Sequence, residues 1–518
     1  MRSLIQIEDT PYIHSGDYKI KVAVIGSGIG GLTVASLLAK ENFTVDLYEQ
    51  NSKCGGKMFC YTNDDGLIWD TGPTLISLPN EIRNTFSYLQ VSSPEMYSIH
   101  TGCRVFFSDG SDWILPNGKE KLSKYFTDNK ICKFNEFEKL METSEKFFDF
   151  AEKYIFDDDP PKILNLGFNS LKSGILFRNP KISLMPYSKL VDMHISNSNL
   201  REFLYHFSSY VGMNPDLAQA GIISIAHVEL NSEVVFPKGG VYSIARCLID
   251  AADKLNIRIF TNSEVVNATP ILNEINMHAW NLTISKNSLI NNEVYDLVVS
   301  NCDPYVSSET WLNNNKIKNN FENNIKSNKM RASESQFVIL FDWENHVPIS
   351  HHLKIFPKSW RKSFIDVCEK LEIPEDPCIY LVWPHATDSS VSPRILFISA
   401  MAPNNLSGIT WSEEFSQNYA EKILNICRKR LKLSFEGKIF KIVTPFELEK
   451  RAKSYKGGIY SATYSKFNPT GFHFSGLTEF QNLYFVGAGV HPGAGVSMVM
   501  KSARRIAQHI IQKFKYRI

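Results

Sequence analysis

The sequence has no CxxC pair, no long apolar run and almost no net charge. Nine cysteines are scattered along 518 residues, and their odd number and spacing argue against a disulfide framework or a zinc site. Reduced thiols in a cytosolic compartment fit this pattern best. No run approaches the roughly 18 apolar residues of a membrane-spanning helix, and the N-terminal residues lack the apolar core of a signal peptide. These absences argue against secretion and membrane spanning, but they leave attachment to a membrane surface open.

Charge and hydrophobicity narrow the function classes further. The chain has 56 basic and 54 acidic residues and a net charge of +2, so there is no electrostatic case for a nucleic acid as partner. Hydrophobic residues make up 43% of the chain and aromatic residues 12%, which is enough for large cores. The length predicts about two to four domains.

A strand–turn–helix–strand unit near the N-terminus organises the chain. The apolar run 22–25 predicts a strand buried on both faces, 32–40 predicts a helix and 44–48 predicts a second strand. Gly26, Gly28 and Gly31 form a GxGxxG turn, which brings backbone and helix N-terminus close to a pyrophosphate. Glu49 ends the second strand, where a carboxylate accepts hydrogen bonds from ribose hydroxyls and repels a 2′-phosphate. This framed pattern favours a dinucleotide site over a glycine-rich turn in an unrelated α/β protein.

Later segments add contacts to the same nucleotide. The glycines at 55 and 56 fit another close backbone approach, and 70–73 predicts a turn with polar groups at a cleft, or else an ordinary loop. Near the C-terminus, an apolar strand at 483–486 leads into glycines at 487, 489, 493 and 495 and then a predicted helix at 496–511. Two glycine turns at opposite chain ends, serving one dinucleotide, predict a discontinuous binding domain.

The middle of the chain predicts a second sheet. Strand-like runs occur at 331–342, 378–383 and 395–400, with a hairpin at 103–113 and an amphipathic helix at 137–156 that packs on the core. The adjacent histidines at 351 and 352 predict no metal site, because neighbouring side chains point apart and no third ligand lies at a useful spacing.

Residues 164–190 differ from the rest in composition. They mix apolar side chains with glycine and proline, and their only side chains charged at neutral pH are basic: Lys172, Arg178, Lys181 and Lys189. This composition fits an anionic membrane surface, the entrance of an apolar pocket, or a loop packed on the core. The three interpretations stay open.

Several motifs together resemble the carotenoid (phytoene) desaturase-type FAD enzymes, which belong to the wider amine-oxidase-like flavoprotein fold. The resemblance is carried by GSGIGGL at 26–32, CGGK at 54–57, WDTGPT at 69–74, FPKGGVYSIARCL at 236–248 and LYFVGAGVHPGAGV at 483–496. The HPGAG core at 491–495 is the most specific of these. KGGIYS at 456–461 is closer to the branch that acts on hydroxylated or methoxylated carotenoids and their relatives.

The resemblance and the patterns above imply an α/β fold: a discontinuous Rossmann-like FAD-binding domain with an α+β substrate domain. The FAD-binding domain comprises 21–105, 236–305 and 445–518, the substrate or membrane-facing domain 106–235 and 306–444, and an N-terminal tail 1–20. The predicted cofactor contacts are Gly26, Ser27, Gly28, Gly30, Gly31, Glu49, Gln50, Gly56, Lys57, Gly72, Pro73, Thr74, Val265, Gly487, Ala488, Gly495, Val496 and Met498. His491 is the candidate for proton handling or flavin tuning, with capping of the following helix as the equal alternative.

The resemblance also implies the chemistry. It implies FAD without a nicotinamide, a long lipophilic polyprenoid substrate, and quinone or oxygen as the terminal electron acceptor. It also implies attachment to one membrane leaflet, which for a cytoplasmic protein, as the cysteines indicate, is the inner face of the membrane. The implied reaction is desaturation of a carotenoid or related polyprenoid. The alternatives are a flavin-dependent oxidase or saturase acting on another lipophilic substrate, including an amine, and a non-catalytic prenyl-protein escort, against which the intact glycine turns argue.

Overall fold

The computed structural model describes residues 19–99, 101–160, 185–273, 277–312, 319, 322–323, 330–464 and 473–515. The strands are β1 (Lys21–Ile25), β2 (Thr44–Tyr48), β3 (Cys60–Thr62), β4 (Ile68–Asp70), β5 (Ile76–Ser77), β6 (Met96–Ser98), β7 (Thr101–Phe106), β8 (Asp112–Pro116), β9 (Val234–Pro237), β10 (Arg258–Phe260), β11 (Ser263–Leu272), β12 (His278–Lys286), β13 (Leu289–Tyr295), β14 (Leu297–Ser300), β15 (Met330–Ala332), β16 (Ser335–Trp343), β17 (His352–Ile355), β18 (Ile379–Val382), β19 (Ile395–Ala402), β20 (Gly437–Val443), β21 (Ala462–Tyr464) and β22 (Leu483–Phe485).

Helices connect and cover these strands. The α-helices are α1 (Ile29–Lys40), α2 (Asn80–Leu89), α3 (Lys119–Asp128), α4 (Phe134–Tyr154), α5 (Tyr187–His194), α6 (Ser198–Tyr205), α7 (Ile223–Asn231), α8 (Tyr242–Lys254), α9 (Pro304–Thr310), α10 (Trp360–Cys368), α11 (Glu413–Leu431), α12 (Pro445–Ala452) and α13 (Val496–Phe514). Short 3-10 helices lie at His206–Val211, Ala220–Ile222, Pro384–Ala386, Asn405–Ser407 and Tyr455–Gly457.

A five-stranded parallel sheet joins segments from both ends of the chain. Its strand order is β10-β2-β1-β14-β22, and every neighbouring pair is parallel. Val22 and Val24 of β1 face a core shared with α1, α8 and α13, whereas Ala23 and Ile25 face a different core. Burial on both faces explains why β1 is a continuous apolar run. The predicted α/β fold, with its N-terminal strand–helix–strand unit and its C-terminal strand and helix, is confirmed.

A seven-stranded mixed sheet forms the second layer of the molecule. Its order is β20-β16-β19-β18-β17-β7-β8, with β7 and β17 parallel and the other pairs antiparallel. One face packs on α11, where alternate residues such as Phe337, Ile339 and Phe341 join its buried side chains. The sheet contains the predicted middle strands and the predicted hairpin.

The first middle strand differs from its prediction. Instead of one strand at 331–342, the chain forms β15 and β16 with a break between them, and β15 pairs with β21. The backbone groups of Ser333, inside the break, form hydrogen bonds outside the seven-stranded sheet. The amide donates to Ser461 O at 3.0 Å, and the carbonyl accepts from Asn404 Nδ2 at 2.9 Å. These loop contacts occupy the backbone groups that a continuous ladder would need.

The structure does not test the predicted domain limits, and it describes only part of the proposed membrane segment. The predicted domain limits stay a proposal, and the limit between 105 and 106 falls inside β7, a strand of the seven-stranded sheet. Of the proposed membrane segment 164–190, residues 164–184 lie outside the described residues. Its end enters α5, where Tyr187 and Leu190 are buried. Within the described ranges, no helix combines the length and apolar character needed to cross a membrane.

Candidate functional site

A cavity of about 520 Å³ lies where the parallel strands end. The residues that follow β1, β2 and β14 line it, including Gly26, Glu49 and Asn301, as does Val486 after β22. Carboxyl ends of parallel strands are the usual place for a ligand in such sheets, because the loops there diverge and leave a crevice. The opposite wall of the cavity belongs to the seven-stranded sheet.

The first glycine turn requires its glycines for different reasons. Gly26 has φ +92°, a left-handed conformation that favours glycine. A Cβ atom on Gly31 would lie 2.0 Å from Gly26 O, so only glycine lets α1 pack this close to the turn. Gly28 has an ordinary φ of −65°. A Cβ there would lie 2.5 Å from Asn301 Oδ1 at the cavity wall, so glycine is required at this position because a side chain would not fit.

Two helix N-termini open on this cavity. The cap residues are Gly28 for α1 and Gly495 for α13, and both line the cavity. Among the described side chains, none caps either N-terminus, and neither first turn contains an acidic residue. Uncapped N–H groups and the positive end of each helix dipole suit the phosphates of a dinucleotide. The residues therefore fit FAD, the cofactor that the sequence motifs imply.

Glu49 lies beside the turn, with 5% of its surface exposed. Its Oε2 accepts from Ser27 N at 3.0 Å and Ser27 Oγ at 2.6 Å, and its Oε1 accepts from Asn51 N at 2.9 Å and Asn51 Nδ2 at 2.6 Å. A carboxylate offers about four acceptor sites. A ribose hydroxyl would therefore share or replace one of these donors.

Two half-buried basic side chains, Lys57 and Arg451, anchor the glycine–glycine–lysine loop at 55–57. Lys57 Nζ donates to Ile459 O at 2.7 Å, and Arg451 Nη1 donates to Gly56 O at 2.5 Å. Burial lowers the pKa of Lys57 to about 8, although the nearby Asp303 carboxylate acts in the opposite direction. All five of these residues line the cavity. Sequence motifs predicted Lys57 and Gly56 as cofactor contacts but did not point to Arg451, because Arg451 lies in no short motif and reaches the loop only through the fold.

The wall opposite the turns is a row of side chains across the seven-stranded sheet. Val443, Val338, Ser399, Tyr380 and Lys354 are cross-strand neighbours on β20, β16, β19, β18 and β17, and all line the cavity. They share a face because side chains alternate along each strand, and the alternate residues pack on α11. We call the part of the cavity against this wall the inner chamber; Phe397, Met401 and Trp360 also line it.

The inner chamber lies close to the loops that are predicted to bind FAD. Tyr380 OH lies 3.0 Å from Thr74 Oγ1, which belongs to the predicted cofactor-binding segment. Thr74, Pro73 and Val265 line the same cavity as Tyr380. Sequence analysis missed Tyr380 and Lys354, because a strand residue that faces a cavity has the same pattern as one that faces a core.

Most of the predicted cofactor residues line the cavity: Gly26, Gly28, Gly30, Glu49, Gln50, Gly56, Lys57, Gly72, Pro73, Thr74, Val265, Ala488, Gly495 and Val496. Ser27, Gly31, Gly487 and Met498 do not line it. Ser27 holds Glu49, and Gly31 packs against the turn. For these residues we propose a supporting role rather than direct contact.

His491 does not line the cavity. It is buried, and its Nε2 lies 2.8 Å from Ile155 O at the end of α4. Burial lowers the pKa of His491 to about 4, so the imidazole is neutral at physiological pH. This placement favours a structural role, although the contact with Ile155 is not the helix cap that the sequence suggested. Over the described residues, no cluster of three or more His, Cys, Asp or Glu side chains could hold a metal ion.

Comparison with known proteins also indicates a flavin-binding protein. The model of the family described as flavin containing amine oxidoreductase matches residues 29–511. The 4,4'-diaponeurosporene oxygenase of Staphylococcus aureus (strain bovine RF122 / ET3-1) is 25% identical over 513 residues, which cover 94% of this chain and 97% of the relative.

Solved structures share the fold. Cyclohexylamine oxidase from Brevibacterium oxydans IH-35A superposes with a TM-score of 0.60 at 11% identity, covering 96% of this chain and 100% of the other. The CLA-producing fatty acid isomerase from P. acnes superposes with a TM-score of 0.58 at 12% identity, covering 96% and 98%. With its family model, two glycine turns and uncapped helix N-termini on one cavity, the chain belongs to the flavin-containing amine oxidoreductase family and is an FAD-dependent oxidoreductase.

Proposed function

We propose that this protein desaturates a carotenoid or related polyprenoid with FAD as the acceptor of a hydride equivalent. The observation that carries the proposal is the continuity of one cavity from the two glycine turns to the inner chamber. A substrate lying in the chamber would be next to the cofactor loops, because Tyr380 is hydrogen-bonded to Thr74.

The lining of the inner chamber supports a lipophilic substrate. Val338, Phe397, Met401 and Trp360 present apolar or aromatic surface, and burying a long hydrocarbon there gains roughly 25 cal/mol for each Å² of apolar area. The curated relative named above is a 4,4'-diaponeurosporene oxygenase, whose name denotes a carotenoid. Chamber and relative together support a polyprenoid.

FAD, when bound, supplies the electron chemistry of the reaction. The protein itself would position the substrate beside the cofactor and keep water out of the cavity. The uncapped N-termini of α1 and α13 would hold the phosphates, while the sheet wall would position the hydrocarbon and exclude water. We assign no acid–base pair, because His491 does not line the cavity. Quinone or oxygen stays the proposed terminal acceptor.

Oxygenation of a polyprenoid is a second candidate, favoured by the oxygenase name of the curated relatives. An amine substrate is less favoured, because an alkylammonium in the inner chamber would face the Lys354 ammonium, whose partner Glu229 does not itself line the cavity. The escort alternative is disfavoured by the chain's membership in a family of oxidoreductases.

One experiment separates these candidates. FAD-loaded protein is mixed anaerobically with polyprenoids in liposomes, and the flavin absorption is followed before products are analysed by mass spectrometry. Bleaching with a product that has lost hydrogen and absorbs further to the red supports desaturation. A product that gains oxygen once an acceptor is admitted supports oxygenation. If only an amine bleaches the flavin, or if no polyprenoid bleaches it, the proposal is refuted.

A further inference from the structure

We propose that Lys354 forms a binding subsite for a neutral oxygen function, a carbonyl or a hydroxyl, on the polyprenoid substrate. The inference rests on the proposed function and makes it more specific, since it assigns an oxygen-bearing substrate to the inner chamber. It is carried by a polar cluster, Lys354, Glu229, His206 and Tyr210, which borders an otherwise largely apolar chamber.

The cluster is built from three separate elements. Lys354 is on β17, Glu229 is on α7, and His206 and Tyr210 belong to the 3-10 helix His206–Val211. Lys354 Nζ lies 2.7 Å from His206 Nε2 and 3.2 Å from Glu229 Oε1, and Tyr210 OH donates to Glu229 Oε2 at 2.5 Å. Lys354 is only 7% exposed, yet it lines the cavity together with His206 and Tyr210.

Protonation in the cluster is defined by its hydrogen bonds. His206 Nδ1 contacts Phe203 O, so this nitrogen carries the proton and Nε2 accepts from Lys354. Burial, and then the Lys354 charge, lower the pKa of His206 well below its ordinary value, which keeps the ring neutral. Burial is the largest single influence and would lower the pKa of Lys354, but the Glu229 carboxylate, Cys103 and Tyr380 together outweigh it, so the pKa lies above its ordinary value. Lys354 is therefore a buried ammonium.

This ammonium has a donor left for a ligand. An ammonium carries three N–H donors, and hydrogen bonds to the described residues account for two of them, those to His206 and Glu229. The rings of Tyr380 and Tyr210 lie beside it, with centres 5.8 Å and 6.0 Å from Nζ. A pure hydrocarbon that filled the chamber would cover the third donor without satisfying it, which is unfavourable.

Charge balance selects a neutral oxygen over a carboxylate. Glu229 already neutralises Lys354, so a carboxylate would add an unbalanced negative charge to a buried site. A carbonyl or hydroxyl oxygen accepts one hydrogen bond from Nζ and adds no charge. The ion pair by itself could also serve only to tie β17 to α7, and the experiment is designed to separate that role from ligand binding.

The test compares matched ligands on FAD-loaded protein. A long polyene hydrocarbon and its terminal aldehyde, alcohol and carboxylate are titrated anaerobically in detergent micelles, and dissociation constants are read from the perturbed flavin spectrum. We expect the affinity for the aldehyde and for the alcohol to be at least about tenfold higher than the affinity for the hydrocarbon. Lys354→Met should reduce this preference to about twofold or less without loss of FAD. Lys362→Met, at an exposed lysine, is the matched control.

Because Lys354→Met leaves Glu229 without its ion-pair partner, the double variant K354M/E229Q restores a neutral pair and guards against misfolding. Equal affinity for hydrocarbon and aldehyde in the unaltered protein would overturn the inference and leave the proposed function standing. Equal weakening of both ligands in the variants would show a purely structural ion pair, and tightest binding of the carboxylate would exclude a neutral ligand. Binding of no polyene at all would overturn the proposed function as well.

Discussion

Glu49 illustrates how one side chain serves both the turn and the ligand. Its carboxylate accepts two hydrogen bonds from Ser27 and two from Asn51, so it fixes the loops on either side of the predicted ribose position. Sequence reasoning placed it correctly at the end of β2. The four protein donors, which come from side-chain and loop geometry, could not be read from the motif.

Replacing Glu49 by Ala should weaken FAD binding by about 1.5–3 kcal/mol, because a charged hydrogen-bond acceptor is lost and the turn loosens. Fluorescence titration of apoprotein with FAD measures this. Glu95→Ala, which removes an exposed carboxylate paired with Lys238, should leave the affinity unchanged. Unaltered FAD affinity in Glu49→Ala would contradict the assignment.

Glu334 is a buried carboxyl outside the cavity lining, and it makes stability depend on pH. Burial raises the pKa of Glu334 from 4.5 to about 7. Between these values the native state keeps a proton that the unfolded state releases, so this contribution to stability is lost as pH rises through 7. Glu334→Gln should therefore be more stable than the unaltered protein by about 3 kcal/mol at pH ~8, with the difference vanishing near pH ~4.

Denaturant unfolding of the FAD-saturated protein at several pH values tests this prediction. Glu421→Gln, at an exposed helix position, should give a flat difference close to zero. A stability difference for Glu334→Gln that does not change with pH would show that the carboxyl does not titrate as expected.

At the scale of elements, α1 and α13 meet beneath the cavity and present their N-termini to it. A Cβ on Gly30 of α1 would lie 3.1 Å from Val499 Cγ1 of α13, so the two helices are in close contact there. Both glycine turns were predicted because each has a strict spacing between a buried strand and a helix. That the two helices touch is decided by the tertiary structure, which brings β1 and β22 from opposite ends of the chain into one sheet with β14 between them.

Gly31→Ala should destabilise the protein by about 3 kcal/mol and lower its FAD content, because the new Cβ would lie 2.0 Å from a backbone oxygen, Gly26 O. The gain of about 1 kcal/mol in helix propensity is too small to offset this clash. Gly221→Ala is the matched control, since its Cβ would meet Phe147 at an ordinary 3.7 Å. Thermal unfolding and the flavin-to-protein absorbance ratio measure both variants. Equal behaviour of the two would contradict the packing argument.

At the scale of the whole molecule, the cavity lies between the parallel sheet and the mixed sheet, and the lipophilic substrate that we propose would have to reach it from a membrane or a carrier. Segment 164–190 is our proposed membrane contact, on the basis of its apolar residues and exclusively basic charges. The proposal is separate from the assignment of the cofactor.

The double reversal K172E/R178E should therefore reduce flotation with anionic liposomes, by about 1 kcal/mol for each basic residue removed. The matched control is K422E/K429E, which reverses two exposed lysines of α11. FAD content and unfolding temperature verify that each variant is folded. Unchanged flotation of K172E/R178E, or an equal loss in the control, would reject this segment as the contact.

The sequence by itself determined the local units. Strict glycine spacing, apolar runs and Glu49 have short-range causes, because a turn, a buried strand and a helix N-terminus each depend on a few neighbouring residues. The tertiary structure decided which distant residues meet. It placed His491 against Ile155 and away from the cavity, brought Arg451 to Gly56, and set Lys354 beside Glu229 and His206. Those contacts depend on strand order and cross-strand register, which side-chain alternation along a single strand does not specify.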